Sequence, residues 1–353
     1  MVLLFLILVP LLSGILSFAI KGNGAKTLGV VSSMITLLLS AWVSGTNFKE
    51  VVSWQHDWIP MLGTQLSLFG DGLSSMLCLL TGIVTMVVML VNLNKDVEKP
   101  GAFVGFLLLS QAGLMGVFLA LDALLFYVFW ELALIPVYFL CSQWGGEKRI
   151  AVTFKFFVYT FLGSLMLLAA LIYLSLQNPG MSSYSWNDIV HAGSSLPAST
   201  QQWLFWLVFI AFAIKMPIFP FHTWQPDAYE QSPTPVTIML SALMVKMGLF
   251  AVMRWLLPVL PQGVVYWGPT VKMLSVIGIV YASVLAMAQT DIKRLIAYSS
   301  IAHMGLMSAV AFNYSVVGMH GIMVQMFNHG INITGMWLIV SMIEDRWGTR
   351  DMS

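Results

Sequence analysis

The sequence predicts an all-α polytopic membrane protein that crosses the bilayer about eleven times. Of its 353 residues, 59% are hydrophobic and only 9% are charged, whereas about a quarter of the residues of a soluble domain are charged. The mean hydropathy is +0.87. Apolar runs of roughly 20 residues, the length that a helix needs to cross the hydrocarbon core, recur along the chain. The spans are expected to be helices, because an open sheet edge cannot satisfy its backbone groups in lipid.

The first apolar run, residues 1–20, predicts a retained helix, because no basic segment leads it and no small-residue cleavage site ends it. The polar breaks at 46–71 and 177–201 are rich in Gly, Ser, Asn or Pro. They are expected to form loops outside the membrane, with room for short surface helices. The predicted spans lie near residues 2–20, 28–45, 72–92, 102–121, 123–143, 152–176, 202–229, 234–257, 269–288, 292–312 and 315–342.

Lysine and arginine predict the orientation of the spans. In membrane proteins the cytoplasmic loops carry an excess of these residues, and here the excess follows the odd-numbered spans. The N-terminus is therefore predicted to lie on the outer side of the membrane. The odd loops hold Lys21, Lys26, Lys95, Lys99, Lys148, Arg149, Lys155, Lys293, Arg294, Arg346 and Arg350, and the even loops hold Lys49, Arg254 and Lys272.

The composition excludes several classes of function. A formal net charge of +1 excludes a nucleic-acid binder that relies on positive charge. Cys78 and Cys141 lie in apolar runs, so they predict neither a disulfide framework nor a pair of metal ligands. The six histidines are scattered, and no metal, haem or nucleotide-binding motif occurs. We therefore expect no cofactor in this chain and any redox groups on partner chains.

Three charged residues lie near the middle of predicted spans. Glu131, Lys215 and Lys246 each stand about 9–12 residues inside a span, close to the bilayer midplane. Each central charge costs at least about 2.5–3.5 kcal/mol. A simple ion pair of Glu131 with one lysine is the structural alternative, but it leaves the other lysine unexplained. The functional interpretation is a row of titratable groups that passes protons, since a lysine can release its proton and an arginine cannot.

The segment around Lys215 predicts a broken helix. Pro217 and Pro220 remove backbone donors in mid-membrane. Helix breaks at this depth line buried or hydrated cavities and, in transporters, mark ion sites. Lys215 is therefore expected to have freed carbonyl groups within reach. An ordinary proline kink beside a stabilising cation is the alternative.

Two histidines fall at similar depths in the last two spans. His329 shares a polar stripe with Gln325 and Asn328, and an imidazole that titrates near neutrality suits a proton relay. A structural hydrogen bond between helices is the alternative for His329. His303 follows Ser300 closely, and a relay role and a structural role both remain open for it.

Six motifs carry a resemblance to a known family. In chain order they are WELALIPVYFL, KFFVYT, AFAIKMPIFPFHTWQPDAYEQSPTP, LMVKMGLFAVMRW, QTDIKRLIAYSSIAHMGL and MFNHG. Together they closely resemble the antiporter-like, proton-pumping membrane subunits of bacterial NADH:quinone oxidoreductase, respiratory complex I. The resemblance covers essentially the whole chain after the first helices. It implies a family fold of fourteen helices, in which helices 4–8 and 9–13 form inverted five-helix repeats with one broken helix each.

That fold implies three parts for this chain. Residues 1–100 would form an N-terminal three-helix segment, and residues 101–257 the first repeat, with its broken helix near Pro217. Residues 258–353 would form an incomplete second repeat. The family's terminal acidic or basic group, on its broken twelfth helix, has no counterpart here, and the sequence stops at TRDMS just after the eleventh predicted span. We expect a fragment or a partly recorded sequence, with a natural split of the protein as the alternative.

The resemblance also implies roles for single residues. Glu131 matches the family's helix-5 glutamate, and Lys215 matches the lysine of the broken seventh helix. Lys246 matches the central helix-8 lysine. His329 matches the helix-11 histidine on the route to the exit half-channel, and His303 matches a helix-10 histidine whose role is less settled.

The implied function is proton translocation, coupled to quinone reduction in other subunits of NADH:quinone oxidoreductase. The implied location is the bacterial inner membrane, beside other membrane subunits of complex I that include neighbouring antiporter-like subunits. Flavin, iron–sulfur clusters and quinone would then reside in partner subunits. The alternative is a subunit of a sodium/proton antiporter or of a membrane-bound hydrogenase complex.

Overall fold

The chain is almost entirely α-helical, which confirms the predicted fold class, and it divides into two compact units. The computed structural model describes residues 1–46, 52–178 and 183–352. The first unit comprises Met1–Gly145 and Pro179–Trp186. The second unit comprises Gly146–Asn178 and Asn187–Ser353.

The first unit is built around a buried central helix. Its helices are α1 (Val2–Ser17), α2 (Asn23–Thr46), α3 (Gly72–Asn92), α4 (Pro100–Leu119) and α5 (Ala123–Trp144). α4 contacts each of the other four. Apart from the buried Gln111, apolar or small residues therefore occupy its circumference, as expected for a helix with no exposed face.

Aspartate residues begin two of these helices. The Asp71 carboxylate accepts the N–H of Ser74 at the start of α3, at 2.9 Å. The Asp122 carboxylate accepts the N–H groups of Leu124 and Leu125 at the start of α5, both at 3.0 Å. Both caps pair backbone donors that a helix leaves unsatisfied in its first turn, and both agree with the predicted starts of spans three and five.

The predicted loop at 46–71 contains a β-hairpin, which is a correction to the expectation of loops and surface helices. β1 (Val52–Ile59) pairs antiparallel with β2 (Thr64–Gly70). The turn between them is a short 3₁₀ segment, Pro60–Leu62, followed by Gly63 with φ 63°. Glycine adopts this left-handed conformation without steric cost. A hairpin is possible because this segment lies between two spans, where water can satisfy its edges.

Asp122 joins the hairpin to α5. Its carboxylate accepts hydrogen bonds from Thr64 Oγ1 at 2.9 Å and from the Gln65 N–H at 3.0 Å, in addition to the two capping bonds. The residue is 0% exposed. Burial raises the pKa of the Asp122 carboxyl, and its four hydrogen bonds oppose that rise. A backbone hydrogen bond from the Leu121 N–H to the Ser67 oxygen, at 2.9 Å, also joins the hairpin to the residues before α5.

The second unit is a bundle that contains one interrupted helix. The remaining helices of the chain are α6 (Arg149–Leu176), α7 (Trp186–Ser195), α8 (Ala198–Lys215), α9 (Gln225–Gln231), α10 (Thr234–Val259), α11 (Pro261–Met287), α12 (Ile292–Ala311) and α13 (Val316–Trp347). α8 packs against α6, α10 and α11, whereas α13 packs against α10 and α12. α9 packs against α6 and α12.

The protein is a multi-pass membrane protein. Within the described residues, seven helices are long and apolar enough to cross a membrane: α2, α3, α4, α5, α6, α10 and α11. The predicted count of about eleven spans therefore stays a prediction. Lys49, which contributes to the predicted orientation, lies outside the described residues, as do parts of both predicted loops.

Candidate functional site

Lys246 lies at the centre of the most deeply buried long helix. It is 0% exposed, and α10 changes its hydrogen-bonding pattern on both sides of it. π-helical turns occur at Leu240–Met244 and at Val252–Leu256. The ammonium Nζ of Lys246 folds back towards the first π turn and donates to the Ser241 carbonyl oxygen at 2.8 Å. π turns inside α-helices are frequent at functional sites.

Lys246 also contacts a second base. Its Nζ lies 2.7 Å from Nδ1 of His329 on α13, although the two residues are 83 positions apart in the sequence. His329 is 5% exposed. An N–N distance this short requires one proton between the two nitrogens, carried either by the lysine or by the imidazole. Two positive charges at this separation in a low-dielectric interior would repel each other strongly, so the pair holds one excess proton more readily than two.

His303 lies on the other side of His329. The two imidazole rings are 5.5 Å apart between centroids, at an angle of 62°. Nε2 of His329 is buried and has no hydrogen-bond partner among the described residues. His303 is exposed, and its Nδ1 lies 3.5 Å from the amide nitrogen of Gln325. Lys246, His329 and His303 therefore form a row that leads from the buried centre of the second unit to its surface.

Lys215 stands at the predicted helix break. It is the last residue of α8 and is 3% exposed. The next helix, α9, begins only at Gln225, and the intervening segment contains Pro217 and a cis peptide bond between Phe219 and Pro220. α8 ends here because Pro217 cannot donate to the carbonyl four residues earlier.

The backbone around Lys215 differs from the expectation of free carbonyl groups. The Met216 N–H donates to the Phe212 oxygen at 2.9 Å, and the Ile218 N–H donates to the Ala213 oxygen at 3.2 Å. Two carbonyls of the last turn, those of Phe212 and Ala213, therefore stay paired with backbone donors.

Gly248 lets the end of α8 approach α10 closely. A Cβ atom at this position would lie 2.7 Å from the Phe212 oxygen and 2.7 Å from the Met216 nitrogen. Both are backbone atoms, so any larger residue would push the two helices apart. Because Gly248 follows Lys246 by two positions, this contact sets the height of the Lys215 helix end against the helix that carries Lys246.

Glu131 belongs to the first unit. It lies on α5 and is half-buried. Gly113 of α4 packs against the α5 backbone beside it, because a Cβ on Gly113 would overlap the backbone of Leu132 and Ala133. The Ser110 hydroxyl of α4 also donates to the Ala133 oxygen at 3.1 Å. Close packing thus fixes the helix that carries Glu131, and the place of this residue in a proton pathway stays a prediction.

An ion-pair network occupies the end of the second unit that is predicted to be cytoplasmic. Arg294 is its centre, since its guanidinium lies 3.2 Å from an Asp227 oxygen and 2.8 Å from a Glu230 oxygen. Arg350 lies 3.1 Å from Glu230 and 2.6 Å from Asp291. Within the part of the chain that the structure describes, the network includes four cations and four anions, namely Lys155, Lys293, Arg294, Arg350, Asp227, Glu230, Asp291 and Glu344. Basic residues that indicate only orientation in the sequence therefore also bind α9 to α6, to α12 and to the segment after α13 that carries Arg350.

The Arg294→Ala substitution is expected to destabilise the protein by about 1–3 kcal/mol, a value between those of exposed and buried ion pairs. Asp227 and Glu230 would each lose one of their two cationic partners in a partly buried setting. Thermal unfolding in mild detergent measures this loss. Arg346→Ala removes an exposed arginine from the same end of α13 and serves as the control. Equal melting temperatures of the two variants would contradict a stabilising network.

The row of nitrogen bases is suited to proton transfer. Lysine accepts and releases a proton at its one nitrogen. Imidazole can take up a proton at one ring nitrogen while it releases one from the other. Within the described ranges, His, Cys, Asp and Glu side chains form no group of three or more that could hold a metal ion.

Several known proteins are similar to this chain in sequence. Residues 120–353 match the family described as NADH:quinone oxidoreductase/Mrp antiporter, TM. A protein of Rickettsia prowazekii named NADH-quinone oxidoreductase subunit M is 36% identical over 321 residues, which cover 91% of this chain and 64% of that protein. The protein of the same name from Escherichia coli K12 is 35% identical over 375 residues, which cover 100% of this chain and 73% of that protein. The chain thus spans 64% to 73% of the length of these two relatives.

Solved structures show the same fold. A chain of respiratory complex I from Thermus thermophilus with bound NADH superposes with a TM-score of 0.91 at 29% identity, covering 100% of this chain and 73% of that chain. A chain of the archaeal membrane-bound sulfane sulfur reductase superposes with a TM-score of 0.90 at 23% identity, covering 99% of this chain and 73% of that chain. The second likeness concerns the fold alone.

Proposed function

Because the chain belongs to the family of membrane proteins shared by NADH:quinone oxidoreductase and the Mrp antiporters, we propose that it is a proton-translocating subunit of an NADH:quinone oxidoreductase. The observation that carries this proposal is the Lys246–His329 pair, in which two buried bases lie 2.7 Å apart. A buried charge that serves only the fold is usually paired with an opposite charge. Two bases that share a proton instead suit a step in which the proton moves on.

The proton route runs from Lys215 to Lys246, then to His329 and from there to His303. Lys246 passes its proton to Nδ1 of His329, and His329 releases a proton from Nε2 towards His303. The 5.5 Å between the ring centroids is the distance of two rings in edge-to-face contact. Glu131 adjusts the proton affinity of Lys215 and interacts with the neighbouring pump subunit.

The redox chemistry takes place in other subunits. NADH oxidation needs flavin and iron–sulfur clusters, which the partner subunits would hold together with the quinone site. This chain contributes translocase activity as a membrane subunit. It lies in the bacterial inner membrane with its N-terminus on the outer side, since its basic loops follow the odd-numbered spans.

The Glu131→Gln and Lys215→Ala substitutions are expected to abolish most of the NADH oxidation that is linked to pumping, while the complex still assembles. The reason is that quinone reduction stalls when the proton route coupled to it is interrupted. NADH oxidation and proton uptake are measured together in closed membrane vesicles, and native electrophoresis reports assembly. Turnover at the unmodified rate in both variants would refute the pathway.

Copurification in mild detergent separates the proposed complex from its alternative. Recovery of flavin and iron–sulfur subunits with this chain is expected. Recovery of antiporter subunits alone would instead support a sodium/proton antiporter, and recovery of a hydrogenase catalytic subunit would support a membrane-bound hydrogenase complex.

A further inference from the structure

The indole of Trp224 reaches back across the helix break to the helix that carries Lys215. Its Nε1–H donates to the carbonyl oxygen of Ile214 at 3.0 Å. We propose that Trp224 is a positioning residue for Lys215, a role that rests on the proposed proton translocation. The residue itself does not carry protons.

In the last turn of α8, the Ile214 carbonyl accepts its hydrogen bond from a side chain. The carbonyls of Phe212 and Ala213 accept backbone N–H groups from Met216 and Ile218. The carbonyl oxygen that precedes Lys215 in the sequence therefore receives its hydrogen bond from a residue ten positions away, at the far end of the break. Trp224 thus closes the interrupted segment into a loop whose two ends are tied together.

The position of the indole is itself fixed by packing. Trp224 is 2% exposed, and its ring lies 4.8 Å from the ring of Phe156 on α6. α6 also contacts both α8 and α9. The donor is therefore held at a defined point relative to α8, and Gly248 on α10 confines the same helix turn from another side.

Loss of the indole donor would change the surroundings of Lys215 specifically. A buried carbonyl without a donor is unfavourable, so the last turn of α8 would shift to bring the Ile214 oxygen to another donor. Lys215 is the next residue on that turn and would move with it. The shift would change the distance from Lys215 to the next group of the route and slow onward transfer, without removing any group of the pathway.

Two substitutions of Trp224 separate the effect of its hydrogen bond from the effect of its packing. Trp224→Phe keeps an aromatic ring against Phe156 but loses the N–H. Trp224→His keeps an N–H at nearly the same point, because Nε2 of an imidazole and Nε1 of an indole occupy equivalent positions in their five-membered rings, but it loses bulk. Trp203→Phe is the matched control, since Trp203 lies on α8, is 47% exposed and packs against Tyr173.

The assay is NADH-driven quinone reduction and proton uptake per assembled complex in closed vesicles. Trp224→Phe is expected to lower kcat on the order of five- to tenfold with the KM for quinone unchanged. Trp224→His should retain most of the native kcat, and Trp203→Phe should be indistinguishable from the unmodified protein. The amount of assembled complex, measured as NADH oxidation by ferricyanide, is expected to stay native in all three.

The reverse order of activity, with the Phe variant active and the His variant impaired, would show a packing role and overturn the proposal. Loss of assembly in the Phe variant alone would also overturn it. Lys215→Ala is measured in the same vesicles. If that variant pumps normally, the proposed function fails, whereas if it stops pumping while Trp224→Phe does not, the positioning role alone fails.

Discussion

Replacing Lys246 with alanine is expected to lower NADH-driven proton uptake into closed vesicles by about 100-fold or more, the scale on which removal of a proton-transfer group acts. Lys246 is fully buried, and its Nζ contacts Ser241 O and His329 Nδ1 at hydrogen-bonding distance. Truncation would leave His329 without the base from which it receives its proton. Proton uptake is followed with a pH-sensitive dye and normalised to assembled complex.

Lys272→Ala is the matched control for this experiment. Lys272 lies on α11 and is only partly buried, so its loss removes the same charge from a place outside the row of bases. The control should pump at the native rate. Native pumping by Lys246→Ala itself would show that the buried lysine serves the fold alone.

Replacing His329 with alanine is expected to reduce pumping by about 10²-fold, and replacing His303 should have a smaller effect. His329 lies between Lys246 and His303, so every proton on this route must pass it. His303 is the outermost of the three bases and lies beside the Gln325 amide, so fewer interactions of the row depend on it. The rates of both variants are measured in the same vesicles with and without added imidazole.

Imidazole is expected to restore part of the activity of His303→Ala, because the vacated position is accessible. It should restore little in His329→Ala, because that position is only 5% exposed. Equal losses in both variants together with equal rescue would contradict the order of the two histidines in the row.

Depth along its span singles out Lys246 as a costly charge in mid-membrane. Depth together with a polar stripe singles out His329, for which a structural hydrogen bond is the alternative. Their contact was not visible, because hydropathy gives the position of a residue along one helix and says nothing about which helices are neighbours. A separation of 83 residues becomes a contact only when α10 packs against α13.

For other features of the structure, the sequence contains weaker signals or none. The π turn at Leu240–Met244 contains neither proline nor glycine, so its sequence resembles ordinary apolar helix. Polarity and length mark the segment of β1 and β2 only as a connection between two spans, so they do not predict its hairpin. The ion-pair network could have been anticipated, since Asp227, Glu230 and Glu344 stand on the same predicted side as Arg294 and Arg350.

The helix break was predicted from Pro217 and Pro220, but the treatment of its carbonyl groups was not. Proline shows that a helix must end, whereas the donors that satisfy the released carbonyls come from tertiary structure. Trp224 supplies one of these donors, since its buried indole N–H donates to the Ile214 carbonyl oxygen.

The most direct test of proton transfer through Lys246 is proton uptake by the Lys246→Arg variant. Arginine keeps the positive charge and the ability to donate to Ser241 O and His329, but it does not release its proton in proteins. We predict that this variant assembles, oxidises NADH with ferricyanide at the native rate and fails to pump. Pumping at the native rate by Lys246→Arg would show that only the charge at this position matters, and would contradict a proton route through Lys246.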